Sequence, residues 1–340
     1  MTPPMRAVEN APGMRVVYSI GRYHRQAKPI CDAVIDELRR RGWLTQCRFF
    51  DEPDEAIADC DVFHCHSVLS LRTLRYLRAH RRGVCIVLQR DSAHIACEDL
   101  RDELRRRRGG PFDALCTEGL NQRADCIPDQ CEEYGLADCV LVPSSYAAAS
   151  FAAQGFPAAR MRILPFSVDS AMFQPPEQRP GFRVVLGGGA TLTKGYPYAL
   201  AACERIGEPL DVIRDVSYEE MPAALALRTV CLSPSVTDGM NHQTLAAMAT
   251  GLVPIASTTT GCRDYIRHAD NGFVVDLHRG DVIAEIAGIL DRLRRDPEGM
   301  RAIGDRARIA VSARPEPDYG RDVCELYRAL LDGRRRDVAA

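Results

Sequence analysis

Residues 232–276 combine, in quick succession, the patterns of a buried strand, an acidic turn, a small-residue helix and a second buried strand. The first apolar run ends at Ser233-Pro234, and Asp238-Gly239 follows just before a helical pattern that begins near Asn241. Small residues let that helix lie close to a sheet, and the run 253–257 predicts the next buried strand. This alternation predicts a parallel α/β unit.

The start of that helix is a predicted anion site. The free N–H groups and the dipole of a helix start favour phosphate, and the backbone amides of Gly239, Met240 and Asn241 fall there. The Asn241 side chain could equally serve only as the helix N-cap, so both roles stay open. Upstream, a triple-glycine turn allows backbone to approach an anion and leads to Lys194, a candidate phosphate ligand or an ordinary surface lysine.

Length and charge limit the class of protein. The chain has 340 residues, more than one core ordinarily supports, so we expect two domains. Lysine plus arginine number 44 and aspartate plus glutamate 46, a balance that argues against nucleic-acid binding. Arginine clusters at 39–41, 105–108 and 334–336 favour solvated helix faces, with docking on an anionic membrane surface as the alternative. No apolar run approaches the roughly 20 residues that span a bilayer.

The 14 cysteines favour reduced thiols in a cytoplasmic protein. The sequence has no Cys-x-x-Cys pair, and its N-terminus lacks a signal-peptide pattern. His64-Cys65-His66 and His94-x-x-Cys97 could in principle hold zinc, but alternate strand residues face opposite sides, so at most His64 and His66 share one. We therefore predict neither a metal site nor a cofactor.

Strand and helix patterns alternate through the rest of the chain, which predicts doubly wound parallel sheets. Strands are expected at 14–20, 46–50, 62–65, 84–89, 137–142, 182–186 and 211–214, and helices at 28–41, 69–81 and 146–154. A segment rich in Pro, Gln and Arg at 174–181 is the natural hinge. We therefore predict domains at 14–174 and 182–312, followed by an amphipathic helix at 316–332.

The second-domain motifs, in their order, strongly resemble the donor-sugar half of retaining nucleotide-sugar glycosyltransferases with the GT-B fold. The family is the glycogen-synthase-like and mannosyltransferase-like one (family 4 type). The resemblance is specific in the second domain and thin in the first. The matching motifs are Pro234-Ser235, Asp238-Gly239, Ala247-Met248-Ala249-Thr250-Gly251, Pro254-Ile255-Ala256-Ser257 and Asn271-Gly272-Phe273-Val274.

The resemblance implies an α/β GT-B fold, in which two Rossmann-like domains face a cleft and the C-terminal helix crosses back to the first domain. It implies a hexosyltransferase-like enzyme that moves a sugar from a nucleoside diphosphate donor to an acceptor, with retention of configuration and without a metal. The acceptor could be a glycan, a lipid-linked molecule or a small molecule. The expected location is the cytoplasm, with peripheral contact to the inner face of the membrane as an option.

The resemblance also implies site residues. Lys194 falls at the family's phosphate lysine, and Asp238 at its first acidic residue, which binds donor sugar hydroxyls. Asp91 falls on the aspartate of a His-Asp pair near the reacting sugar, with Arg90 in place of the histidine and His94 as a nearby competitor.

Two family residues have no counterpart. The second glutamate falls on Ala246, and the phosphate arginine falls on Gly188 or Gly189. Each charge-assisted hydrogen bond is worth about 1.5–3 kcal/mol, so donor binding would weaken without a replacement. Gly21-Arg22 follows the first strand, where the family has a glycine-rich loop near the diphosphate, and Arg22 or Arg25 could supply the charge. The alternative function is a degenerate, non-catalytic homologue that binds a nucleotide, a glycan or a partner glycosyltransferase.

Overall fold

The computed structural model describes residues 13–20, 28–68, 70–81, 83–97, 103, 126–214, 216–313 and 317–339. Within these ranges the chain forms two parallel sheets, of six and five strands, which follow one another along the sequence. Helices cover both sheets, and buried apolar side chains fill the layers between. None of the helices in these ranges has the combination of length and apolarity that crossing a bilayer requires.

The first sheet has the strand order β2-β1-β3-β4-β5-β6. Its strands are β1 (Val16–Ile20), β2 (Leu44–Phe49), β3 (Val62–His66), β4 (Cys85–Gln89), β5 (Cys139–Val142) and β6 (Met161–Ile163). The helices described here are α1 (Lys28–Arg40), α2 (Leu71–His80), α3 (Ile127–Leu136) and α4 (Ser145–Ala153). The strand order reverses between β1 and β3, and such a reversal opens a crevice at the carboxyl ends of the strands.

The second sheet has the order β11-β10-β9-β7-β8. Its strands are β7 (Val184–Leu186), β8 (Leu210–Asp211), β9 (Val230–Ser233), β10 (Val253–Ser257) and β11 (Phe273–Val275). Its helices are α5 (Tyr196–Arg205), α6 (Met221–Ala226), α7 (His242–Ala249), α8 (Val282–Arg295) and α9 (Pro297–Ser312). The strand expected at 211–214 is only the two-residue β8, because it lies at the sheet edge beside the three-residue β7.

Local sequence explains where the helices start and stop. Ile30, Val34 and Leu38 recur on one face of α1 and are fully buried, and Gly42, with φ +68°, ends the segment. Asp296 accepts a hydrogen bond from Gly299 N at 2.9 Å, so one side chain caps α9 directly after α8 ends.

The last helix, α10 (Pro317–Ala339), packs along α1 of the first domain. The two backbones touch, because a Cβ on Gly320 would lie 2.2 Å from the carbonyl oxygen of Ala33. Tyr327 of α10 is fully buried, and its hydroxyl is hydrogen-bonded to Nδ1 of the fully buried His64 at the centre of β3. Residues from the far end of the sequence thus complete the core under the first sheet.

We expect Tyr327→Phe to lower the free energy of unfolding by about 1–3 kcal/mol, because it leaves a buried imidazole nitrogen without its partner. Urea unfolding followed by tryptophan fluorescence and circular dichroism measures the change. The matched control is Tyr76→Phe, whose hydroxyl is hydrogen-bonded to no described residue and whose ring stacks on His80. Equal stability of the two variants would contradict a stabilising role for the Tyr327 hydroxyl.

Candidate active site between the two sheets

Loops at the carboxyl ends of the two sheets touch at residues 237–239. A Cβ on Gly239 would lie 2.2 Å from the carbonyl oxygen of Asp91, which follows β4. Ser144 Oγ donates to the carbonyl oxygen of Gly239 at 2.7 Å, and Tyr146 OH donates to Thr237 Oγ1 at 2.9 Å. The absence of a side chain at Gly239 therefore allows the two domains to meet.

Glycines also fold the loop between β7 and α5 onto the start of α7. A Cβ on Gly187 would lie 2.6 Å from Thr244 Oγ1, and Gly188 has φ +117°. Gly195 has φ +70°, and a Cβ there would lie 1.7 Å from the carbonyl oxygen of Pro234. Only glycine fits these positions without strain. The folded loop places Lys194 beside the acidic turn after β9.

Lys194 and Asp238, which the resemblance assigned to phosphate and sugar, contact each other directly. Lys194 Nζ lies 2.5 Å from Asp238 Oδ2, with 26% of the lysine side chain and 8% of the aspartate side chain exposed. An ammonium has three N–H donors, so the bond to Asp238 uses one of them. The carboxylate therefore fixes the ammonium at the cleft while other donors can bind an anion.

Asn241 is an N-cap, which is one of the two roles that the sequence left open. Its Oδ1 accepts from Gln243 N at 3.0 Å and Thr244 N at 3.3 Å, and its Nδ2 donates to the carbonyl oxygen of Gly187 at 2.6 Å. Its own backbone N–H points to Cys262 Sγ at 3.3 Å. Asn241 thus braces α7 against the glycine loop, and neither its amide nor its side chain is left for a ligand.

The backbone N–H groups of Gly239 and Met240, also predicted to bind donor, make no hydrogen bond to any residue that the structure describes. The Met240 side chain is buried in the core that runs between the domains. These two amides and the Lys194 ammonium are therefore candidate donors to a ligand at the start of α7.

Asp91 lies on the opposite wall of the cleft. Its Oδ1 accepts from Gln89 Nε2 at 2.7 Å, and its Oδ2 lies 3.4 Å from His66 Nδ1. The Asp91 side chain is 27% exposed, and its backbone lies against Gly239. The first domain therefore places an aspartate beside the loop of the second domain that carries Asp238 and Gly239.

Arg90 and His94, which were predicted to lie near the reacting sugar, are both buried in the first domain and bond to its residues. Arg90 is buried, and its guanidinium donates to Ala93 O and Gln130 Oε1, both at 3.0 Å. His94 Nδ1 accepts from Ala96 N at 3.1 Å. Burial, with a smaller contribution from Arg90, lowers the pKa of His94 to about 4, so the ring is neutral at pH 7.

The predictions for Gly21, Arg22 and Arg25 lie outside the described residues. Gly188 and Gly189 lie in the loop that leads to Lys194, and neither carries a side chain that could replace the missing phosphate arginine. No group of three His, Cys, Asp or Glu side chains within the described ranges is arranged to hold a metal ion.

Sequence reasoning missed His242, the first residue of α7. Its ring stacks on Phe166, with centroids 4.6 Å apart and planes 16° apart. Burial lowers the pKa of His242 to about 4, while Asp91 and Asp238 raise it and Lys194 lowers it by smaller amounts. Its position directly after a predicted N-cap was the signal that could have identified it. For His66, the sequence pattern suggested only a metal ligand.

Residues 171–296 match the family model described as Glycosyl transferases group 1. Sucrose-phosphate synthase from Thermosynechococcus elongatus superposes with a TM-score of 0.72 at 16% identity, over 94% of this chain and 100% of that one. HepE from Anabaena, solved in complex with UDP, superposes with a TM-score of 0.64 at 12% identity, over 93% and 100%. The chain has the GT-B fold. The resemblance to GT-B glycosyltransferases and the expected pair of parallel α/β sheets are thereby confirmed.

Among curated relatives, the MMP alpha-(1->4)-mannosyltransferase of Mycolicibacterium hassiacum is 27% identical over 179 residues. That match covers 44% of this GT-B chain and 43% of the relative. The chain spans about two fifths of the length of the curated relatives that it matches.

We expect Gly239→Ala to loosen the contact between the two domains, because the added Cβ cannot remain 2.2 Å from the carbonyl oxygen of Asp91. Hydrogen exchange measured by mass spectrometry should be faster in peptides covering 90–97 and 237–245. Gly288→Ala is the matched control, since a Cβ there meets nothing within 4 Å. Exchange that is equally slow in both variants would show that the contact does not depend on the glycine.

Proposed function

We propose that this protein is a retaining, metal-independent glycosyltransferase that moves a sugar from a nucleoside diphosphate donor, bound between the two sheets, to an acceptor. The observation that carries the proposal is the Lys194 ammonium, held at the cleft by Asp238 beside two backbone amides at the start of α7. The GT-B fold and the match to group 1 glycosyl transferases support it.

The chemistry of the transfer explains why such a group is needed. Breaking the bond between the sugar and the diphosphate puts negative charge on the leaving phosphate. Donors that are already in place lower the energy of that charge without reorganisation. Lys194 and the Gly239 and Met240 amides would supply them. By resemblance, the leaving phosphate takes the acceptor's proton on the same face of the sugar, so no separate base is required.

The two carboxylates take different roles in this proposal. Asp238 is bonded to Lys194 and largely buried, so its task is to orient the ammonium. Asp91 is more exposed and lies on the first-domain wall, so it can accept a hydrogen bond from a sugar hydroxyl. The nucleoside diphosphate is supported by the solved relatives, since the HepE structure contains UDP and that of starch synthase IV from Arabidopsis thaliana contains ADP and acarbose.

We also propose a reducing compartment, the cytoplasm, because the described cysteines are all free thiols.

A second function, a non-catalytic nucleotide or glycan binder, is favoured by one observation. Ala246 stands where the family has a ribose-binding glutamate and is packed in the core, so its side chain offers no polar group to a nucleotide.

A thermal-shift screen with UDP, GDP, ADP and their sugars separates the two functions. A ligand at 100 times its Kd stabilises the folded state by about 2.7 kcal/mol, so we expect one base to give a clear rise in Tm. Slow hydrolysis of that nucleotide sugar without acceptor would identify an enzyme, whereas stabilisation without hydrolysis or transfer would favour the binder. Silence across the whole panel would overturn the glycosyltransferase proposal and favour the non-catalytic glycan binder.

We expect Lys194→Ala to weaken binding of the nucleoside diphosphate by about 10- to 150-fold, the worth of one charge-assisted hydrogen bond. Isothermal titration measures the affinity. Because this change leaves the buried Asp238 carboxylate without its cation, a second variant that adds Asp238→Asn controls for altered stability. Arg279→Ala, which removes an exposed cation of the same domain, should bind normally. Unchanged affinity in both Lys194 variants would remove Lys194 from the site.

A further inference from the structure

We infer that His66 is a positioning residue for the proposed transfer, and that its imidazole holds the Asp91 carboxylate in place at the cleft. The inference rests on the proposed function, because that function gives Asp91 its contact with sugar. His66 belongs to none of the matching family motifs, and its sequence pattern suggested only a metal ligand.

The two oxygens of Asp91 lie beside polar side chains on neighbouring strands, one as a hydrogen-bond acceptor and one in an ion pair. His66 is the last residue of β3, Gln89 is the last residue of β4, and the two are paired in the sheet register. His66 Nδ1 lies 3.4 Å from Asp91 Oδ2, and Gln89 Nε2 lies 2.7 Å from Oδ1. Because the sheet fixes the spacing between the two donors, it also fixes the plane of the carboxylate between them.

The other edge of the His66 ring is held equally firmly. Its Nε2 lies 3.3 Å from Tyr18 OH on β1 and 3.7 Å from Cys31 Sγ on α1. The ring of His64 lies parallel to it, with centroids 6.0 Å apart. Three elements of the first domain thus fix the orientation in which Nδ1 points to Asp91.

The charge of the ring suits this role. Burial would lower the pKa of His66, but the neighbouring Cys31 sulfur and the Asp91 carboxylate raise it to about 10. The raised pKa favours the charged ring, and the ion pair at Nδ1 in turn stabilises the ionised form of Asp91.

His66 and Asp91 differ in exposure, and this difference indicates different roles. The side chain of His66 is 4% exposed, whereas that of Asp91 is 27% exposed and adjoins Gly239 across the cleft. His66 cannot reach a sugar in this arrangement, so any effect on transfer passes through Asp91.

Two replacements of the same residue test the inference. In His66→Asn the amide NH₂ lies near the position of Nδ1 and keeps a donor for Asp91, whereas in His66→Gln it lies near the position of Nε2. We expect His66→Gln to lower kcat by about 10- to 100-fold with a smaller change in donor KM, and His66→Asn to retain most of kcat. In an Asp91→Asn background, His66→Gln should cause no further loss. The inference would be overturned if both His66 variants lowered kcat equally. It would also be overturned if His66→Gln lowered kcat as much in the Asp91→Asn protein as in the unchanged protein.

A second measurement needs no activity. The ring resonances of His66, identified by their disappearance in His66→Gln, report its pKa by NMR titration. Among the described residues, Tyr18, Cys31 and His64 are titratable groups that face the ring, and Tyr327 of α10 faces His64 in turn. Asp91→Asn leaves all of these in place and should lower the pKa of His66. An unchanged pKa would overturn the inference even in a protein that transfers sugar, whereas a lowered pKa in a protein that binds no nucleotide would overturn only the proposed function.

Discussion

Asp238 connects three loops of the second sheet at the point where the two domains meet. Its backbone N–H donates to the carbonyl oxygen of Thr259, its carbonyl oxygen accepts from Gly261 N, and its carboxylate holds Lys194. The loops after β7, β9 and β10 therefore have fixed positions relative to one another. The contact of Gly239 with the first domain depends on the same turn, so the geometry of the cleft and the placement of the ammonium are set together.

Much of the fold could be predicted because its signals are local. Apolar runs marked the strands, and the step from Asp238-Gly239 to Asn241 marked the start of α7. The pairing of Lys194 with Asp238 could not be predicted, since the two residues are 44 positions apart and only the folded glycine loop brings them together. The sequence suggested how each residue would contact the ligand, but it did not reveal that the two residues form an ion pair with each other.

The first-domain wall shows the same limit. The family motif suggested Arg90 and nearness in sequence suggested His94, and the structure shows both side chains bonded within the first domain. The Asp91 carboxylate contacts Gln89, the last residue of β4, and also His66 from the adjacent strand. Parallel strands bring together the ends of distant segments, so a cleft also contains contacts that nearness in the chain does not reveal.

The packing of α10 on α1 has a consequence for biosynthesis. Domains generally fold in order as the chain leaves the ribosome. Here Tyr319, Val323 and Tyr327, which fill the core beside α1, are translated only after the entire second sheet. The N-terminal half therefore keeps an uncovered apolar surface until α10 is made, and its folding is completed by a segment that follows the second sheet.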